Sequence, residues 1–333
     1  MQWFHFLLVF IATILGTFAL RQIAIRANMF DVPNDRSSHS VATPRGGGLA
    51  IVIVSLLSLG LLPLFEPASR LFLGIVATSL VVSIIGFIDD KYDLSANVRL
   101  LVHLISSIVV SVLFLFEFQL SSGLLIVFGV LSVLYLVWSL NLFNFMDGID
   151  GVASQQASFV LLSLYFIVPN TDQLLSSSLL IISTSILGFL VWNFPPAKIF
   201  MGDAGSGFLG FILASVSLWA FQDFGFTFFV VYMILHSNFI VDSTFTLVRR
   251  VLQGFSPVSP HRTHAYQNAS RFFNSHKKAT LGVLLVNLVI HLPLAYFVAR
   301  GNLEWYLGVL MSYTVNLVIC LKFKAGVPEE SQQ

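Results

Sequence analysis

Residues 71–90 read LFLGIVATSLVVSIIGFIDD, an uncharged apolar run over 71–88 that stops on two adjacent aspartates, Asp89 and Asp90. A run of that length matches the roughly 20 residues a helix needs to cross the hydrocarbon core of a bilayer. Similar runs stand at 4–20, 48–65, 100–116, 122–140, 154–168, 174–192, 207–221, 226–245, 279–298 and 305–321. The expectation is an all-α, polytopic membrane protein of eleven transmembrane helices, or ten if one of the weak runs 154–168 and 207–221 does not span. Composition agrees, since 56% of the 333 residues are hydrophobic and only 10% are charged. An ordinary soluble domain carries about 25% charged residues, so a water-soluble globule is excluded. The formal charge of +1 argues against a nucleic-acid partner. The single cysteine, Cys320, excludes an intramolecular disulfide and leaves no zinc spacing.

With eleven spans, fifteen of the 17 Lys and Arg residues fall on one side, and only Arg70 and Arg300 on the other. Basic residues accumulate on the cytoplasmic side of short loops, which puts the N-terminus outside and the C-terminus in the cytoplasm. The first span is expected to be retained, because its basic residues, Arg21 and Arg26, follow the apolar run rather than precede it. The inner connections, about 21–47, 89–99, 141–153, 193–206 and 246–278, hold nearly every Gly-, Asp- or His-rich stretch. Function is therefore expected on the cytoplasmic face. With no internal repeat, residues 1–333 read as one transmembrane catalytic domain, and 246–278 as a basic, His-containing cytoplasmic loop within it.

Three segments aim carboxylates at that face: Asp89-Asp90, then Asp147 and Asp150 in NLFNFMDGIDG, then Asp203 in FMGDAGS. Two such charges 4 Å apart repel by about 4 kcal/mol at an effective dielectric near 20, so a divalent cation is the economical partner. Magnesium suits best, with manganese as a substitute, because it takes one or two carboxylates and fills its other positions with water and phosphate oxygens. Asn141, Asn144, Asp147 and Asp150 recur every third residue, and Gly148 and Gly151 permit an unwinding that would turn all four toward one cleft. The Asn amides can read a base or sugar while the aspartates hold charge. Asp203 reads either as a metal-holding residue or as the N-cap of the following helix.

The long inner loop places His261, Arg262 and His264 before Tyr266, where they could bind phosphates from the side opposite the carboxylates; Lys277-Lys278 read better as contacts to anionic lipid headgroups. The first inner loop adds Asp35, Arg36, His39, Arg45 and the triplet Gly46-Gly47-Gly48, whose amides could cradle phosphate. Within the spans, His5, His103, His236, Asn238, Asn287 and His291 read as packing polars. Asp242, seven residues before Arg249-Arg250, reads as part of the site or as a counter-charge.

The ordered set of GGG after a Thr-Pro, GFIDDKYDLS, NLFNFMDGIDG, FMGDAGS and PHRTHAY resembles the polyprenyl-phosphate N-acetylhexosamine-1-phosphate transferases, whose relatives include phospho-MurNAc-pentapeptide translocase. The resemblance covers about residues 28–325 and looks closest to the bacterial branch that initiates O-antigen or other surface polysaccharides. It implies an inner-membrane enzyme that transfers a sugar-1-phosphate from a UDP-N-acetylhexosamine to undecaprenyl phosphate, releasing UMP, with Mg²⁺. It implies Asp203 as a magnesium ligand, with Asp90 and Asp147 as further candidates, and Asp89 and Asp90 near the lipid phosphate. It also places Asn144, Asp147, Asp150 and Phe200 around the uridine and sets His261 and His264 against the diphosphate. Sugar preference does not carry over from the translocase branch, which has Lys where this chain has Ser40-Val41-Ala42 and Asp93. The donor hexosamine, the polyprenol length and a homodimer stay open. Direct attack by the lipid phosphate is favoured over a covalent aspartyl intermediate, since a phosphate with a second pKa near 6 is already largely dianionic at neutral pH. The rival from another class is a secondary transporter of an anionic or phosphorylated solute, which would place its charges near the midplane on broken helices.

Overall fold

A computed structural model describes residues 3–33, 38–39, 41–92, 94–116, 118, 121–169, 171–256, 259 and 261–328; Asp35, Arg36, Ser40 and Asp93 lie outside the described residues. The helices are α1 (Trp3–Arg26), α2 (Gly48–Leu61), α3 (Arg70–Tyr92), α4 (Ala96–Leu115), α5 (Ser122–Phe145), α6 (Val152–Ile167) and α7 (Gln173–Asn193). They continue as α8 (Asp203–Phe224), α9 (Phe226–Leu235), α10 (Ser237–Leu252), α11 (Ala265–Phe272), α12 (His276–Val286), α13 (Leu292–Ala299) and α14 (Trp305–Lys322). Every apolar run is helical, because in hydrocarbon a chain must satisfy its own backbone groups. Among the described residues eight helices, counting α12 through α13 as one, are long and apolar enough to cross a membrane, and α2 and α6 are shorter.

The run expected as the ninth span, 226–245, falls on two helices, α9 and α10, bent by 71° at His236. Side chains take up the backbone groups that the break frees, as a break inside a bundle requires. Gln156 Nε2 donates to the Leu235 carbonyl at 3.0 Å, and Gln156 Oε1 accepts from Asn287 Nδ2 at 2.7 Å. Asn287 Oδ1 accepts from Asn238 Nδ2 at 2.7 Å and lies 2.9 Å from His291 Nδ1. Asn238, Asn287 and His291 thus stitch α6, α10 and the π-helical turn Asn287–His291 together. The stretch 246–278, expected as a loop, is largely helical: it holds the end of α10, all of α11 and the start of α12.

The almost wholly buried α8 is the central element, packed by α3 and α5 and touched by α2. Small residues let these backbones approach, the usual device where hydrocarbon gives helices no solvophobic drive to associate. A Cβ on Gly86 of α3 would stand 2.6 Å from the Asp203 carbonyl oxygen and 2.8 Å from Ala204 Cα, and one on Gly48 would stand 2.6 Å from Gly205 Cα. The contact at Gly86 sets Asp90, one turn later, against the first turn of α8. Two of the three glycines are spent on this packing rather than on a phosphate cradle: Gly47 N donates to the Phe200 carbonyl and Gly48 N to the Met201 carbonyl, both at 2.9 Å. A two-residue antiparallel pair, β1 (Phe30–Asp31) with β2 (Thr43–Pro44), brings the first inner connection to the same place. There Phe200 N donates to the Pro44 carbonyl at 2.8 Å.

Candidate active site

The ends of α3, α5 and α7 and the start of α8 meet around a cleft of about 320 Å³. Arg45, Asp90, Asn144, Asp147, Asp150, Phe200 and Asp203 all line it, with His39, Gln267 and His276. The four aspartates do different work. Asp90 Oδ1 accepts from Asp203 N at 3.0 Å and Oδ2 from Ala204 N at 3.1 Å, so α8 is capped from another helix. This leaves the Asp203 carboxylate uncommitted to capping, and it commits Asp90, expected as a metal ligand, to holding α8. Arg45 donates to the Asp90 carbonyl. Asp150 is equally committed: Oδ2 accepts from Ala197 N at 2.9 Å and Oδ1 lies 3.1 Å from His276 Nδ1. Burial would raise its pKa, but the His276 hydrogen bond, the Ala197 amide and the nearby His276 and His39 rings hold it below the ordinary carboxylate value.

The Asp147 carboxylate has no hydrogen-bond or ion-pair partner among the described residues, although its backbone amide donates to the Asn144 carbonyl at 3.3 Å. Burial first, and then the charges of Asp203, Asp90 and Asp150, push its carboxyl well above the usual range. An uncompensated carboxylate beside three others is the arrangement a cation relieves. Among the described residues no three His, Cys, Asp or Glu side chains form a metal cage of their own. The oxygen-only donor set of Asp147 and Asp203 therefore fits a hard cation that shares its positions with substrate phosphate and water.

A smaller chamber of about 130 Å³ adjoins the cleft, sharing Asn144 and Asp203 with it and holding Asp89, Arg99, His103 and Asn141. Both oxygens of Asp89 are engaged, with Oδ1 accepting from Leu94 N at 2.8 Å and Oδ2 from Arg99 at 2.5 Å. The same Arg99 nitrogen lies 3.7 Å from Asp203 Oδ2, and the Asp203 side chain is 36% exposed against 6% for Asp89. Asn141 Nδ2 donates to the Val137 carbonyl at 2.7 Å, so only the last three members of the Asn/Asp row reach the main cleft.

His261, Arg262 and His264 are not among the residues that line the cleft. Asp242 caps α11 through Ala265 N at 2.9 Å and Tyr266 N at 3.1 Å, and its Oδ1 lies 3.3 Å from His264 Nδ1. The His261 ring lies 5.0 Å from that of His264, and burial, His264 and Arg250 lower its pKa to about 3. Tyr266, on the first turn of α11, donates its hydroxyl to the Phe145 carbonyl at 3.0 Å and so fixes the turn that carries Asp147. Asp242→Ala would strand two buried amides, and a cost of roughly 2 kcal/mol is expected. A thermal melt of the purified variant checks this, and an unchanged midpoint would remove Asp242 from the scaffold.

The sequence reading missed Arg99, His276 and Gln267. Arg99 carried a legible signal, a lone cation in the first turn of an apolar helix just beyond the Asp pair. His276 was hidden in a run of basic residues.

Fold and site together define a multi-pass membrane protein with a carboxylate-lined cleft at the helix ends. The Glycosyl transferase family 4 profile matches residues 72–221. A Bacillus subtilis protein named a probable undecaprenyl-phosphate N-acetylglucosaminyl 1-phosphate transferase is 31% identical, over 85% of this chain and 81% of its own length. A Thermotoga maritima protein named an undecaprenyl-phosphate alpha-N-acetylglucosaminyl 1-phosphate transferase is 29% identical, over 86% and 88%. A Mycolicibacterium smegmatis decaprenyl-phosphate N-acetylglucosaminephosphotransferase is 27% identical, over 97% and 89%. The chain belongs to the polyprenyl-phosphate N-acetylhexosamine-1-phosphate transferases of glycosyl transferase family 4.

Proposed function

We propose that this protein transfers N-acetylhexosamine-1-phosphate from a UDP-sugar to undecaprenyl phosphate at the cytoplasmic face of the bacterial inner membrane, and so initiates a surface polysaccharide such as O-antigen. The observation that carries the reading is the unpartnered Asp147 carboxylate in the larger chamber together with Asp203, which both chambers share and which meets only the distant Arg99 among the described ion pairs. The larger chamber, with Phe200 and Asn144, suits the sugar nucleotide, and the smaller, with Arg99 and His103, suits the lipid phosphate. Asp147 and Asp203 would hold Mg²⁺, which supplies charge neutralisation on the diphosphate when bound.

An oxygen of the lipid phosphate forms a bond to the phosphorus that carries the sugar, and the bond from that phosphorus to the bridging oxygen breaks, with UMP leaving. The geometry favours direct attack. Asp89, the residue nearest in role to a base or nucleophile, has both carboxylate oxygens engaged, by Arg99 and Leu94 N, which leaves neither oxygen free to turn toward phosphorus. The transporter reading has less support, because the break between α9 and α10 surrounds His236 with the Phe143, Tyr232 and Phe239 rings rather than with charges.

The test is UMP release by detergent-purified protein given undecaprenyl phosphate and a panel of UDP-N-acetylhexosamines, starting with the N-acetylglucosamine donor. Release is expected to stop with EDTA and return with excess Mg²⁺. Release that ignores EDTA would sink the metal assignment, and no release with any donor would sink the transferase.

A further inference from the structure

The His276 ring, at the start of α12, is held on both edges. Nε2 lies 2.8 Å from the Ser38 carbonyl oxygen and must donate to it, since a carbonyl only accepts. The neutral ring accepts at Nδ1 from Asp150 N at 3.4 Å, and the charged ring donates there to Asp150 Oδ1 at 3.1 Å; Ser38 is held in both forms. One turn on, Thr280 Oγ1 donates to the Asp150 carbonyl at 2.8 Å, so α12 grips the turn that carries Asp147 at two points.

Ser38 and His39 belong to the connection between β1 and β2, whose base is pinned by Arg45 N to the Met29 carbonyl at 3.2 Å and by Phe200 N to Pro44. Among the described residues the only hydrogen bond that reaches Ser38 or His39 comes from His276. The His39 ring meets Phe200 edge-on at 4.9 Å, and its Nε2 is buried with no hydrogen-bond partner. Asp31 Oδ1, at 3.9 Å, is too far to serve. A buried ring nitrogen without a partner is a cost carried by the free protein that a ligand in the cleft can remove.

We propose that His276 is a positioning residue that clasps Ser38–His39 to Asp150 across the cleft, so that His39 Nε2, beside Phe200, hydrogen-bonds the nucleotide half of the donor. This rests on the transferase reading. The nucleotide is the better occupant than the lipid phosphate, because a flat heterocycle with donors and acceptors matches an aromatic ring next to an unpaired nitrogen. Arg99 lies in the other chamber, and the Arg45 guanidinium that lines this one is engaged by the Asp90 carbonyl.

His276→Ala is expected to raise the KM for the UDP-sugar by about tenfold, the scale of one lost hydrogen bond to a substrate, while the KM for undecaprenyl phosphate holds. His39→Ala should give the same split, and the double variant should be no worse than His276→Ala, because an unclasped His39 has nothing left to lose. His276→Gln keeps a donor for Ser38 and should recover most of the loss; it also serves if the alanine variant does not fold. Losses that multiply in the double variant, or a rise in both KM values, would overturn the clasp in favour of general loosening. Hydrogen exchange separates this inference from the transferase reading. Losing His276 should speed exchange of the amides in 41–47 by about tenfold with no substrate present. Unchanged exchange there would overturn the clasp even in an active enzyme. Faster exchange in a protein that turns over no donor would leave the clasp standing and the transferase reading refuted.

Discussion

Asp203→Asn is expected to lower turnover by about 10³-fold, the upper range for removing one group aimed at the charge of a transition state, while the folded protein melts as wild type does. The two halves of this expectation come from different atoms of one residue. Its backbone amide is what Asp90 holds at 3.0 Å, and the substitution leaves that amide in place. Its carboxylate meets only Arg99 at 3.7 Å among the described ion pairs, and an isosteric amide fits the same space. Asp90→Asn gives the contrast. An asparagine offers one oxygen where two amides now find acceptors, so both turnover and melting temperature should fall. Single-turnover UMP release at saturating Mg²⁺, with a melt on the same samples, reads both; wild-type turnover in Asp203→Asn would remove Asp203 from the reaction.

The second large effect is expected from a methyl group. Gly86→Ala would drive a Cβ to 2.6 Å from the Asp203 carbonyl oxygen and 2.8 Å from Ala204 N, both backbone atoms that cannot swing aside. The helices α3 and α8 must then part, and the Asp90 cap goes with them. Overpacking together with two stretched hydrogen bonds is expected to cost roughly 3 kcal/mol and most of the activity. Gly60→Ala is the control: it lies in α2 with nothing within 4 Å of a new Cβ, and there the change should be neutral or slightly stabilising. A Gly86→Ala protein that melts and turns over like wild type would mean that the α3–α8 contact does not set the site.

Much of the architecture was legible because a bilayer leaves a chain few options. The runs 71–88 and 174–192 must be helices for want of other hydrogen-bond partners, and carboxylates at their ends must leave the hydrocarbon. The break at His236 was not legible, because the groups that satisfy it, Gln156 and Asn287, come from far away in sequence and look like ordinary packing polars. The same holds for PHRTHAY: its histidines announce themselves in the sequence, but His264 stands against Asp242 and is not among the residues that line the cleft.

The sequence by itself determined that this is a helical membrane protein, and it named the segments whose polar residues gather at one end, since hydropathy and the placing of charges are properties of the chain. Only the tertiary structure decided which carboxylates are left to act. Asp89, Asp90, Asp147, Asp150 and Asp203 are chemically the same group, and what separates them is which donors reach each one. An arginine and a backbone amide take Asp89, two amides of α8 take Asp90, and an amide and His276 take Asp150. Asp147 and Asp203 are left for a ligand because, among the described residues, no backbone amide reaches either carboxylate, and burial beside other carboxylates makes a cation the group that would let them ionise together.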